Sequence, residues 1–184
     1  MLKIVVGISG SSGVVLGIKL LEFLKKKGWE SHLIITEIAE KIIEHETDYK
    51  VEYVEKLATK FHNNSDLFAS IASGSFKTEG MVIVPCSMKT LAGVASGYSE
   101  NLLLRTADVM LKERRKLVLV TRETPLSMIH IKNMERVTRA GGIILPPVIS
   151  LYSKPKSLDE MENHIVGKIL DTLGIENDLY ERWE

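Results

Sequence analysis

The segment after the first apolar stretch of the chain carries small polar residues suited to binding an anion. It reads Gly7-Ile8-Ser9-Gly10-Ser11-Ser12-Gly13 and precedes a helical pattern. Glycines let the backbone approach a ligand closely, while hydroxyl groups and a helix N-terminus offer hydrogen-bond donors to a phosphate. The alternative is a turn in which Ser11 or Ser12 caps the helix. The spacing fits neither G-x-G-x-x-G nor G-x-x-x-x-G-K-[ST], although Glu37 could still hold the ribose of a dinucleotide.

Two later apolar segments also end in residues that could do chemistry. Pro85-Cys86-Ser87-Met88-Lys89-Thr90 follows one of them, and Thr121-Arg122-Glu123-Thr124-Pro125 follows the other. An arginine can bind a phosphate and a neighbouring carboxyl group can transfer a proton, whereas the alternative is an exposed ion pair. Cys86 is expected to be a buried, inert thiol rather than a nucleophile. Met88 could pack on a flat ring or fill a gap in the core.

Short β-branched segments alternate with longer helical patterns along the chain. The predicted strands span 3–8, 31–35, 81–84, 117–120 and 143–145. The predicted helices span 14–27, 38–44, 51–59, 89–96, 102–112, 129–139 and 158–173. Pro85 is expected to end the third strand, and Gly28 and Gly174 to end two helices. This alternation predicts an α/β fold with a doubly wound, Rossmann-like parallel sheet in three layers. Ligands bind outside the carboxyl ends of such strands, so the polar segments should meet at one edge.

Composition narrows the class of protein. The chain has 184 residues, 45% hydrophobic and 26% charged, which predicts one globular domain spanning 1–184. Its formal net charge of +0 gives no bulk attraction to nucleic acid or to an anionic membrane. A net charge of zero also removes the repulsion between copies, so self-association is expected.

Several features predict a cytoplasmic protein without a structural metal. The single cysteine excludes an intrachain disulfide and favours a reducing compartment. No apolar stretch reaches the length of a membrane span, and the N-terminus runs into a strand pattern rather than a signal peptide. The five histidines lack the spacing of zinc ligands.

The order of the polar segments adds a more specific signal. The segments are Gly10-Ser11-Ser12-Gly13, Glu46-Thr47-Asp48, Pro85-Cys86-Ser87-Met88-Lys89-Thr90-Leu91, Asn101-Leu102-Leu103 with Arg105, Ala107-Asp108-Val109, Leu111-Lys112-Glu113-Arg114-Arg115, Arg122-Glu123-Thr124-Pro125, Ile129-His130, Pro146-Pro147 leading to Tyr152, and Leu170-Asp171-Thr172-Leu173-Gly174-Ile175. Together they resemble the flavin prenyltransferase family, the UbiX-type enzymes formerly described as aromatic acid decarboxylases. The resemblance extends over nearly the whole chain and keeps the order of the motifs.

The resemblance implies an activity, a cofactor and an assembly. It implies a flavoprotein that binds FMN between subunits of a homo-oligomer, typically a dodecamer. Such enzymes join a dimethylallyl unit from dimethylallyl phosphate or diphosphate to N5 and C6 of reduced FMN, with no metal. The prenylated FMN then serves a UbiD-type decarboxylase.

The resemblance also assigns roles to residues. The implied flavin contacts are Gly10, Ser11, Ser12, Thr36, Ser87, Met88, Lys89, Thr90 and Arg122. The implied prenyl-phosphate ligands are Tyr152, Lys168 and Arg122, with Lys112 and Arg105 acting across subunit boundaries. The implied catalytic residues are Glu123, Glu46 and Ser12. Trp183 matches a C-terminal aromatic residue that helps close the site. Some relatives have arginine at the position of Lys168. Lysine can also bind a phosphate, but as a point charge and not through the two-pronged fork of arginine. The proton from flavin C6 could be accepted by Glu123 or by a phosphate oxygen.

Two other functions are alternatives to flavin prenyl transfer. The first is an FMN-dependent decarboxylase that acts directly on a carboxylic acid, as in the cysteine decarboxylases, which use a histidine early in the chain as a base. No histidine precedes His32 here. The second is a non-catalytic flavin carrier, which would not need Arg122-Glu123, Tyr152 and Lys168.

Overall fold

The chain folds around a parallel β-sheet. The structure, a computed structural model, describes residues 2–183. The strands in this range are β1 (Lys3–Ile8), β2 (Glu30–Ile35), β3 (Lys60–His62), β4 (Gly80–Cys86), β5 (Lys116–Thr121) and β6 (Ile143–Ile144). All pairs are parallel and the spatial order is β3-β2-β1-β4-β5-β6. This order confirms the predicted doubly wound fold and places its switch point between β1 and β4.

Helices cover both faces of the sheet. They are α1 (Val14–Lys26), α2 (Glu37–Glu46), α3 (Val51–Glu55), α4 (Met88–Ser96), α5 (Leu102–Lys112), α6 (Met128–Arg139) and α7 (Leu158–Leu173). Residues of α1, α2, α3 and α7 pack with Val6 and Ile8 in one core, and residues of α4, α5 and α6 pack with Val5 in the other. Successive residues of β1 therefore face opposite cores, as expected for a strand buried on both sides.

Two local predictions were wrong, and the alternative of a serine cap on α1 is not met. The helix predicted over 51–59 ends at Glu55, and residues 60–62 form the edge strand β3. The strand predicted to stop at Pro85 continues to Cys86, because a register shift against β5 lets the ladder pass a residue that lacks an N–H. Neither Ser11 nor Ser12 caps α1, which follows Gly13 in the left-handed region at φ 95°. The predicted terminal glycines, Gly28 and Gly174, are confirmed by positive φ values of 71° and 83°.

Two other sequence-based expectations concern burial and membranes. Cys86 is a buried free thiol, as expected, and burial raises its pKa. Within residues 2–183, every helix is too short or too polar to cross a bilayer.

Two histidines form a buried pair between neighbouring strands. His32 Nδ1 on β2 lies 2.9 Å from His62 Nε2 on β3, and His32 Nε2 lies 3.0 Å from Glu30 Oε1. The two histidines are only 3% and 4% exposed. Burial and the neighbouring His32 lower the pKa of His62 to about 4. A histidine in the unfolded chain has a pKa near 6.5. Between about pH 6.5 and pH 4 the unfolded state therefore binds a proton at His62 that the folded state does not, so the free energy of unfolding falls as the pH is lowered.

We expect His62→Gln to make the fold less sensitive to acid. The wild type should lose about 2 kcal/mol of stability from this group between pH 7.5 and pH 5, and glutamine removes the titration while keeping an amide for hydrogen bonding. The measurement is urea unfolding at both pH values, with exposed His45→Gln as the matched control. An equal pH dependence in the wild type and His62→Gln would contradict the assignment.

Candidate functional site

A buried serine ties together the loops on either side of the switch point. The hydroxyl of Ser9 donates to the carbonyl of Pro85 at 3.0 Å and accepts the N–H of Ser87 at 2.9 Å. The N–H of Ser9 donates to the same carbonyl at 3.2 Å. The third loop joins them, since the N–H of Arg122 donates to the carbonyl of Cys86 at 3.2 Å. The loops after β1, β4 and β5 thus meet at one edge, as the fold predicts.

An open cavity of about 1290 Å³ lies at this edge. Sites for small ligands and cofactors typically occupy roughly 300–1,000 Å³, so the cavity has room for a tricyclic ring with a phosphate-bearing chain. The predicted site residues that line it are Gly10, Thr36, Ser87, Met88, Lys89, Thr90 and Glu123. Residues that were not predicted also line it, among them Ile38, Phe61, Asn63, Asn64, Tyr98 and Leu104.

Two helices begin at the wall of the cavity. Thr36 caps α2 by accepting the N–H of Ala39 at 3.3 Å, and Ser87 caps α4 by accepting the N–H of Thr90 at 3.2 Å. A helix N-terminus carries partial positive charge and free N–H groups. This end of the cavity therefore suits an anionic group such as a phosphate.

The first loop comes close to α2 through a glycine. A Cβ on Gly10 would lie 2.6 Å from Cγ2 of Ile38, so a larger residue would have to displace that side chain. Ile38, Met88 and Leu104 add apolar surface to the same cavity. Apolar walls beside backbone donors are the chemistry that a flat ring with a phosphate tail requires, so the residues present fit FMN.

Two carboxylates lie near the loops at this edge of the sheet. Glu46, at the end of α2, accepts the N–H of Gly13 with its Oε2 at 2.9 Å and so reaches the first loop. Glu123 lines the cavity, and its Oε1 accepts the N–H of Thr124 at 3.0 Å. Ser11 joins the first loop to the loop that carries Glu123, because its hydroxyl donates to the carbonyl of Arg122 at 3.1 Å. Ser12 lies beside it in the same loop, half-buried.

Tyr152 and Lys168, the predicted ligands of the prenyl donor, are not among the residues that line the cavity. The ring of Tyr152 packs edge-on against His164 of α7, and Lys168 is exposed one turn further along that helix. α7 ends at the amino edge of the sheet, where Lys116 Nζ donates to the carbonyl of Leu173 at 2.8 Å. Lys168 is therefore only about 7.5 Å along the helix axis from that end. Arg122 follows β5 at the opposite edge of the sheet, so Lys168 and Arg122 lie toward opposite edges within one chain.

Lys112 and Arg105 also lie away from the cavity within one chain. Lys112 ends α5 and pairs with the carboxylate of Glu113. Arg105 pairs with Asp108 at 2.8 Å and donates from Nε to the carbonyl of Ala72 at 3.2 Å. Neither cation lines the cavity of its own chain, and their action across subunit boundaries stays a prediction.

Across residues 2–183, His, Cys, Asp and Glu side chains form no group of three or more that could hold a metal ion.

Comparisons with known proteins identify the family. A model of the Flavoprotein family matches residues 1–173. A probable UbiX-like flavin prenyltransferase from Sedimentibacter hydroxybenzoicus is 51% identical over 184 residues, which cover 100% of this chain and 97% of the relative. A crystal structure of AnUbiX (PadA1) in complex with FMN and dimethylallyl pyrophosphate superposes with a TM-score of 0.98 at 49% identity, covering 100% of this chain and 97% of that one. A dodecameric FMN-dependent UbiX-like decarboxylase from Escherichia coli O157:H7 superposes with a TM-score of 0.97 at 45% identity, with full coverage of both chains. The chain belongs to the UbiX-like flavin prenyltransferase family.

Proposed function

We propose that this protein joins a dimethylallyl unit from dimethylallyl phosphate or diphosphate to N5 and C6 of reduced FMN. The observation that carries the proposal is the cavity at the switch point, because its wall includes six of the residues that the family resemblance assigns to the flavin. The crystal structure of AnUbiX with FMN and dimethylallyl pyrophosphate supports both ligands.

The residues of this chain would hold FMN in an orientation suited to prenyl transfer. FMN, when bound in its reduced form, supplies N5 and C6 as the atoms that bond to the prenyl unit. Gly10 and the N-termini of α2 and α4 provide backbone donors, with the side chains of Thr36, Ser87 and Thr90 around them. Met88 and Lys89 begin α4 at the same wall. The implied contacts with Ser11, Ser12 and Arg122 come from the neighbouring loops.

The donor requires groups that stabilise the charge of a departing phosphate. As the allylic C–O bond breaks, the phosphate takes the electron pair, and Arg122, Lys168 and Tyr152 would neutralise it. The proton released from N5 balances the one that the prenyl double bond takes up on ring closure. Bond formation at C6 releases a second proton, and Glu123 is our proposed acceptor. Glu46 and Ser12 would orient the reacting edge of the flavin, since Glu46 is already fixed to the first loop through Gly13.

We further propose that the active site is shared between copies of the chain in a homo-oligomer, a dodecamer. Tyr152, Lys168, Lys112 and Arg105 lie outside the cavity of their own chain, so a neighbour must bring them to it. Exposed apolar side chains supply surface for such contacts, including Met128 at 64%, Ile129 at 70% and Val148 at 71% exposure. The dodecameric relative from Escherichia coli supports the assembly.

Three further parts of the proposal concern the wider context of the protein. We propose that residues 1–184 act as one flavoprotein domain, of which Met1 and Glu184 lie outside the described residues. We propose a cytoplasmic location, consistent with the single unpaired thiol. We also propose that a UbiD-type decarboxylase receives the prenylated FMN.

The function is tested by an anaerobic incubation. The purified protein is mixed with reduced FMN and dimethylallyl phosphate or diphosphate, and the flavin is examined by mass spectrometry. We expect a flavin heavier by one prenyl-derived unit, with a heat-denatured sample as the control. Unchanged FMN with both donors would overturn the proposal.

A direct decarboxylase is the second candidate function. The Escherichia coli relative is described as an FMN-dependent decarboxylase, which is the observation that favours it. A base corresponding to the early histidine of the cysteine decarboxylases is difficult to place here, because His32, the first histidine, is buried against His62. Release of carbon dioxide from an aromatic acid by the protein and FMN alone would support this alternative.

Gly10→Ala is expected to weaken FMN binding by about 10-fold or more, as the loss of one well-placed contact does. The added Cβ would press on Ile38 at 2.6 Å and force the first loop or α2 out of place. Fluorescence titration of FMN measures the effect. Gly10→Ala/Ile38→Ala removes the Cγ2 contact but leaves Cβ of residue 38 at 2.9 Å from the added Cβ, so it should recover only part of the affinity. Unchanged FMN affinity in Gly10→Ala would contradict the placement of the flavin.

A further inference from the structure

Residues 177–183 fold back onto α7 around one carboxylate. Arg182 donates from Nη1 and Nη2 to the two carboxylate oxygens of Asp171 at 2.9 and 2.8 Å. The hydroxyl of Tyr180 donates to the same carboxylate, and so does the amide of Asn177 at 2.9 Å. Asp171, Tyr180 and Arg182 form what we call the C-terminal latch. Arg182 holds the pKa of Asp171 down at about 2, and burial together with Asp171 raises the pKa of Tyr180 to about 12.

A glycine in α7 makes room for the latch. Gly167 is buried in the interior of the helix, where glycine is less favourable than alanine. A Cβ at this position would overlap the ring of Tyr180 and lie 2.9 Å from Oδ1 of Asn177. The close approach of the Tyr180 ring to the helix backbone therefore depends on this glycine.

Aromatic contacts connect the latch to Tyr152. The ring of Tyr180 lies 4.4 Å from that of His164, measured between centroids, and His164 lies 5.6 Å from Tyr152. Tyr152 also packs edge-on against Trp183 at 5.4 Å. His164 is buried, and its Nδ1 lacks a hydrogen-bond partner within the described part of the chain. Packing against Tyr180 and Tyr152 is thus what holds this ring in place.

We propose that the C-terminal latch positions the phenol of Tyr152 for binding the phosphate of the prenyl donor. Its members are positioning residues, because they act through His164 and Trp183 and not by contact with the donor. The bidentate pair fixes Arg182, and the next residue, Trp183, is thereby held against Tyr152. The inference rests on the proposed role of Tyr152 in donor binding.

Arg182→Gln is the main test, because this side chain is 53% exposed and its loss leaves the core intact. Loss of a charge-assisted pair predicts a rise of about 10-fold in the KM for dimethylallyl phosphate. We expect kcat and the Kd for FMN to change by less than about 2-fold. Amide hydrogen exchange over residues 175–183 should accelerate in the same variant. Arg182→Lys, which keeps one charge, should restore part of the donor affinity.

Arg139→Gln is the matched control. Arg139 is also exposed and paired with a carboxylate, that of Glu135 at 2.7 Å, but it lies on α6. This variant should have the KM of the wild type. Gly167→Ala provides a second route to the same effect, because its Cβ displaces Tyr180 without removing a charge.

The outcomes separate this inference from the proposed function. An unchanged donor KM in Arg182→Gln, with faster exchange of the C-terminal segment, would overturn the positioning role while leaving the prenyl transfer of the wild type in place. Equal losses of FMN and donor affinity would show a general structural role and also overturn it. A wild-type protein that forms no prenylated FMN would overturn the proposed function, and the inference with it.

Discussion

Glu123→Gln is expected to bind FMN normally and to lower the rate of prenylated FMN formation by about 10²–10⁴-fold, the usual contribution of a positioned acid or base. Glutamine keeps the size of the side chain and an oxygen that can accept the N–H of Thr124. It removes the ability to take a proton from flavin C6. The rate is measured in single turnovers without oxygen, and FMN binding is measured separately by fluorescence.

The control for this variant is Glu135→Gln, which removes a carboxylate from an exposed ion pair on α6. It should turn over like the wild type. Accumulation of a singly bonded prenyl flavin in Glu123→Gln would locate the defect in ring closure. Normal turnover in Glu123→Gln would remove Glu123 from the mechanism and favour a phosphate oxygen as the proton acceptor.

Lys168→Ala is expected to raise the KM for dimethylallyl phosphate by about 10- to 100-fold, because a hydrogen bond to a charged group contributes about 1.5–3 kcal/mol. FMN affinity should remain unchanged, since Lys168 lies on α7 and outside the cavity of its own chain. Lys168→Arg keeps the positive charge and should stay close to the wild type. Equal losses of FMN and donor affinity in Lys168→Ala would contradict the assignment.

Mixed oligomers test whether the two variants act from different subunits. A particle assembled from equal amounts of Glu123→Gln and Lys168→Ala chains should contain about one site in four with both native residues. Activity should therefore reappear in the mixture, although each variant alone is impaired. A mixture as inactive as its parents would show that one chain supplies both residues.

Much of the fold could be predicted because its elements are local. The limits of α5 and α7 agree with the predicted 102–112 and 158–173, since an apolar face at helical spacing marks each helix within a single segment and Gly174 also marks the end of α7. β3 was not predicted, because it depends on pairing with a distant segment. Its three residues have too short a pattern to detect, and only their pairing with residues 32–34 of β2 makes them a strand.

The site was predictable where residues follow strand ends and much less so elsewhere. Thr36, Ser87 and Glu123 could be placed at one edge because parallel strands bring their carboxyl ends together. Ser9 was not chosen among the residues of the first loop, although it joins that loop to Pro85 and Ser87. A hydroxyl immediately after a continuous buried strand was the signal available. The distance of Lys168 from the cavity depends on how α7 packs, which no short motif encodes.

The first strand to be synthesised lies in the middle of the sheet, between β2 and β4. During translation β1 therefore gains its second neighbouring strand only after β4, which begins at Gly80, has been made. Glu123, in the wall of the cavity, is made later still. Truncated nascent chains that stop before β5 should consequently fail to retain flavin, and loading of the coenzyme must follow the completion of about two-thirds of the polypeptide, since residue 123 of 184 closes the wall.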